Sequence, residues 1–337
     1  MKERIRWIDW AKTICMFLVV LGHCHLSDTY KPITTLIYTF HMPLFFFLSG
    51  ILCTSKFDYQ SLKKDFTFII IPYFTYGLFS ILLNCILSHR LSFSEYYKDL
   101  YEIIVGYDCS IGPIWFLPAL FFCKILFHLI TFCDSNKYTK ALFLIAVLLP
   151  TYYIYNYHIN LPFFVDSGIC ALPFFFYGHE SAGICKKIKH INPTTRTILF
   201  ITFLCILVYW GQMNGSVVLA DCIYGNNIII YYFNAYIGIF LTILFSIALE
   251  SKTHKIVYIM AYGSIVTLGF HGFILSFIHY YIPITFGYYK PSYSIFIALI
   301  YSIITYAICF CLIISLDKTK TRKLFGLKNG NQIIHFS

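Results

Sequence analysis

Apolar residues in this chain come in long runs rather than in alternation. Stretches with almost no charge recur at about 11–29, 33–53, 66–88, 113–132, 140–157, 162–179, 197–211, 227–249, 255–280 and 292–315. About 20 apolar residues, rising roughly 1.5 Å each, cross the hydrocarbon layer as a helix. The pattern predicts an all-α, polytopic integral membrane protein of about ten spans. The two runs joined near Pro162 are the least regular, and Pro173 is expected to bend the second of them. No segment is long and polar enough for a separate soluble domain. The first run has no small-residue cleavage site, so no removable leader is expected.

The charges between the runs orient the chain. Lys2, Arg4 and Arg6 precede the first run, and Lys56, Lys63 and Lys64 follow the second. Lys186, Lys187, Lys189 and Arg196 follow the sixth, and Lys318, Lys320, Arg322, Lys323 and Lys328 follow the last. The alternate loops hold only Lys31, Arg90, Lys98 and Lys290. The positive-inside rule then places both termini in the cytoplasm. This changes the meaning of the net charge of +10. It follows the topology, so nucleic acid is not an expected partner, whereas membrane lipid is. The 13 cysteines are scattered with no CxxC pair and read as small buried hydrophobes.

Ionisable residues inside apolar runs are costly and point to function. Lys12 and His23 share the first run. Eleven helical steps advance roughly 16 Å and return to nearly the same face. One stripe thus carries a cation near the cytoplasmic boundary and an imidazole in the outer half. The same topology puts His41 and His271 in the outer half as well. Ser264 precedes His271 by seven residues and shares its face, and Gly269 and Gly272 leave room beside it. Each of these histidines reads either as a functional group or as an interhelical hydrogen-bond donor. His25, two residues from His23, points to the other side and is not chosen. A metal site is not expected, because no HxxxH pair occurs. Asp9 precedes Lys12 by three residues. It reads either as a boundary ion-pair partner or as a group orienting a cation that holds a polyanion, with Arg4 and Arg6 adding to the pocket.

RWIDWAKTICMFLVVLGH followed by IYTFHMPLFFFLSGIL resembles the membrane acyltransferase 3 family, in the branch of fucose O-acetylase-like proteins. LKKDFTFIIIPY, GPIWFLPALFF, FFFYGHE and GSIVTLGFHGFIL resemble later family segments in the right order. The resemblance covers residues 4–316 as one membrane domain and leaves 317–337 as a basic cytoplasmic tail. Lys12 stands where the family commonly has Arg, and Lys63 and Lys64 where some members have two Arg. Lysine binds phosphate as a point charge without the guanidinium fork.

The resemblance implies O-acylation of a glycan in a bacterial-type inner membrane, with acetyl-CoA as the donor. Lys12, Arg4, Arg6, Lys63 and Lys64 would hold the donor phosphates, with Asp9 beside Lys12. His23 would act as general base, or pass through an acyl-imidazole. His41, Ser264 and His271 would position the acceptor or stabilise the oxyanion. The acceptor would be a cell-surface or lipid-linked saccharide. A proton-coupled transporter or glycan flippase is the alternative. It predicts internal repeats, and no half-to-half similarity is evident. Oligomeric state is not readable.

Overall fold

A computed structural model describes residues 4–54, 58–88, 93–106, 109–133, 137–184, 188–252, 254–281 and 293–328. Of the charges that orient the chain, Lys2, Lys56, Arg90, Lys186, Lys187 and Lys290 lie outside the described residues. The fold is helical. In order it contains α1 (Arg6–Gly22), α2 (Lys31–Leu52), α3 (Tyr59–Asp65), α4 (Ile71–Ser88), α5 (Phe93–Val105), α6 (Phe116–Cys133) and α7 (Lys137–Tyr157). There follow α8 (Val165–Glu180), α9 (Pro193–Asn214), α10 (Ile228–Leu249), α11 (Lys255–Tyr262), α12 (Ser264–Ser276) and α13 (Ile295–Asp317). A two-stranded antiparallel pair, Val217–Val218 with Ile223–Tyr224, joins α9 to α10.

A helix occupies each expected run, but the lengths differ from the expectation. Among the described residues, six helical segments are long and apolar enough to cross a membrane, or seven if one bent pair counts as a span. α1, at 17 residues, and α8, at 16, are shorter than this measure requires. The first helix begins at Arg6 and ends at Gly22 rather than running to residue 29. Beyond it the backbone bonds sideways instead of continuing the helix. Tyr293 donates its amide to the His25 carbonyl (2.8 Å), and Ser27 donates to that of Tyr293 (3.0 Å). The expected single span 255–280 is two helices, α11 and α12, bent by 80° at Gly263. Pro173 lies inside the helix α8.

Burial separates inner from outer helices. In α2 and its flanking turn 67% of the apolar window is buried, against 17% in α9 and 28% in α13. α9 and α13 therefore turn most of their apolar surface outward, towards lipid. Without a hydrophobic driving force between helices in lipid, close backbone packing must hold them. α2 and α8 supply it reciprocally. A Cβ at Gly50 would overlap the Phe175 carbonyl, and one at Gly178 would overlap that of Phe47. Capping residues fix other starts. Asn192 accepts from the Thr195 amide (2.7 Å) ahead of Pro193, and Asn227 accepts from Ile229 (2.8 Å) and Ile230 (3.2 Å).

The segment after α13 is not loose. Lys320–Phe325 forms a 3-10 turn, and Gly326 takes a positive φ of 81°. Leu327 is fully buried, and the Phe325 carbonyl accepts from the Tyr76 hydroxyl (3.3 Å). The Phe325 ring stacks on Phe270 of α12.

Candidate functional site

His23 caps α1, His41 sits mid-way along α2 and His271 mid-way along α12. The fold brings them together. The His23 and His271 rings meet edge-on at 5.1 Å. Tyr38, one turn before His41, bridges the others, its ring 5.9 Å from His23 and 5.0 Å from His41. His41 and His271 are buried and His23 is half-buried.

All three imidazoles are held in the same way. Nδ1 of His23 lies 2.8 Å from the Val19 carbonyl, that of His41 2.7 Å from Ile37, and that of His271 2.9 Å from Thr267. A carbonyl oxygen only accepts, so each Nδ1 carries the proton in the neutral ring. Each Nε2 is then a bare lone pair. Nε2 of His271 is buried with no hydrogen-bond partner. The helix backbone has thus selected the tautomer that a general base needs.

Ser264 starts α12 and makes no hydrogen bond to His271. Thr267, one turn away, holds that ring instead. Tyr76 takes the space beside Gly269, while among the described residues nothing approaches the open side of Gly272 closer than Pro113 at 4.0 Å.

The other end of the stripe is cationic. Lys12 makes no hydrogen bond or close ion pair among the described residues. Asp9 belongs instead to Arg4, which grips it with two bonds of 2.6 and 2.8 Å. The Arg4 guanidinium also lies 3.6 Å over the Tyr258 ring, tying α1 to α11. Arg4 is thus already neutralised, while Arg6, Lys63 and Lys64 are exposed.

Two lysines that sequence reasoning passed over complete the cluster. Lys124 of α6 pairs with Asp65 at 2.5 Å, both largely buried. Lys328, beyond the C-terminal turn, reaches the Phe68 ring at 5.8 Å. Desolvation, then the charges of Lys12, Lys64 and Lys124, push the Lys328 ammonium down to about 8, with Asp65 opposing. Four lysines from α1, α3, α6 and the C-terminal segment therefore share one field. A lysine inside the apolar run FFCKILFH was the available signal for Lys124. Nothing local marks Lys328.

Such an arrangement sets a cluster of lysines and an imidazole with a bare Nε2 lone pair roughly 16 Å apart along one helix. Residues 5–315 match the family described as an acyltransferase domain, the acyltransferase 3 family. No curated protein and no solved structure matches the chain.

Proposed function

The chain belongs to the acyltransferase 3 family, and from that premise we propose that it moves an acetyl group from cytoplasmic acetyl-CoA to a saccharide hydroxyl beyond the outer half of the membrane. The observation that carries this reading is the His23 ring. It is fixed by Val19, faces His271, and shares α1 with the Lys12 end of the lysine cluster. Lys12, Lys64, Lys124 and Lys328 hold the CoA phosphates and 3′-phosphate as point charges. The pantetheine arm spans the stripe.

His23 Nε2 takes the proton of the acceptor hydroxyl as its oxygen attacks the thioester carbonyl carbon. Collapse of the tetrahedral adduct breaks the C–S bond, and the departing thiolate takes the proton back from the imidazolium. The tautomers sharpen the roles of the other two rings. With Nδ1–H committed to the helix, neutral His41 and His271 have no donor left for an oxyanion. They accept from the sugar hydroxyl and orient it. Asp9 serves by holding Arg4 and the start of α1.

The test uses membranes containing the full chain, labelled acetyl-CoA and the glycans of the producing cell. The expected result is label in a surface or lipid-linked glycan, lost in His23→Ala while that variant still accumulates. Movement of a glycan with no covalent label would identify a flippase instead.

A further inference from the structure

At the end of α8 remote from the lysines lies a polar cavity of about 400 Å³, bordered by Gly106, His158, Asn160, Phe164, Asp166 and Asp221. The distance follows from the helix. His179 packs on Phe127 at 4.9 Å, one turn from Lys124, and Asp166 is thirteen residues earlier, roughly 20 Å along the axis. With the termini cytoplasmic, as the charge pattern predicts, this cavity would open on the outer face.

Its chemistry is unfinished. Asp166 is 4% exposed, yet its Oδ1 has no hydrogen-bond partner. The carboxyl borders the cavity with one oxygen unused. The surrounding backbone is held in costly conformations. Among the described residues, the non-glycine positions with positive φ are His158, Phe163, Phe164 and Cys222, all in or beside this wall. The Ser167 hydroxyl clamps the 219–221 turn through the Ala220 carbonyl at 2.8 Å. Strain of this kind persists where the surroundings over-determine it, and it gathers at ligand sites.

We infer that this cavity is a saccharide-binding subsite, in which Asp166 accepts a hydroxyl of the acceptor while Asn160 and the exposed Asp221 contact the ring from the rim. A neutral polyol fits better than a cation. Among the described residues no group of three or more His, Cys, Asp or Glu is placed to hold a metal, whereas carboxylate and amide together match vicinal hydroxyls. The volume suits one to a few sugar rings. The subsite rests on the acetyl-transfer reading and adds to it a second holding point, apart from the imidazoles.

The experiment measures initial rates of label transfer in membranes, varying the extracted surface glycan and acetyl-CoA separately. Asp166→Asn and Asn160→Ala should each raise half-saturating glycan, Asp166→Asn by about tenfold, and leave half-saturating acetyl-CoA unchanged. Unchanged glycan dependence in both variants overturns the subsite. So does a glycan dependence that requires added calcium in the wild type and loses that requirement in Asp166→Asn, which would mark a cation site. If the wild type labels no glycan, the function itself fails, and that outcome is distinct from either.

Discussion

The two ends of the α1 stripe are built on opposite principles. At the imidazole end each ring is held by a carbonyl four residues earlier in its own helix, so its tautomer is a local property. At the lysine end, ammonium groups from four separate segments share one field, and among the described residues only Lys124 of the four has a close carboxylate. The first end is set before any ligand arrives. The second is a field of like charges whose repulsion an arriving polyphosphate would relieve. A base must be correctly oriented beforehand, whereas a phosphate site gains by being unsatisfied until it is filled.

Separating α2 from α8 would break both ends together. Gly178→Leu forces a side chain into the Phe47 backbone, and it should reduce accumulation in the membrane to a trace, read by immunoblot. Removing only the base is the next largest effect. His23→Ala should cut label transfer by about 10²–10⁴-fold at normal protein level, and His271→Ala by less, with half-saturating glycan raised. Equal losses for the two would mean that His271 shares in the proton transfer rather than only orienting the acceptor.

Changes at the lysine end should spare catalysis. Lys124→Ala and Lys12→Ala should raise half-saturating acetyl-CoA by about tenfold, reflecting lost charge-assisted bonds. Altered glycan dependence instead would displace the donor phosphates from this cluster. The smallest effect is in pH. Because Lys328 is pushed down to about 8, its charge is present below that value and lost above it. Half-saturating acetyl-CoA should therefore rise as pH passes through about 8, and Lys328→Ala should flatten that rise. For stability the sign is opposite. The unfolded chain holds this proton up to the ordinary lysine value of 10.5, so the folding penalty is full below about 8 and fades between 8 and 10.5.

This contrast also explains what could be read from the sequence. Helical spacing fixes which face a residue shares with its neighbours, so the Lys12–His23 stripe and the common depth of three histidines were legible. Contacts between segments were not. Asp9 is three residues from Lys12 but bonds to Arg4, which lies just before α1. The grouping of Lys12 and Lys64 with Lys124 and Lys328 depends on where the C-terminal turn packs, and apolar periodicity does not encode that. Hydropathy also ran past Gly22 and across Gly263, since neither a sideways backbone bond nor an 80° bend changes the apolar count.

The backbone contact at Gly50 and Gly178 also bears on the lipid. It sets the height of His41 above the lysine end along protein atoms, not along the bilayer. When the hydrocarbon layer thickens or thins, the outward-facing helices α9 and α13 have room to tilt and absorb the mismatch. The inner pair, locked at its glycines, keeps its register. On the proposed reading, the path of the acetyl group would then be set by the protein and not by the thickness of the membrane.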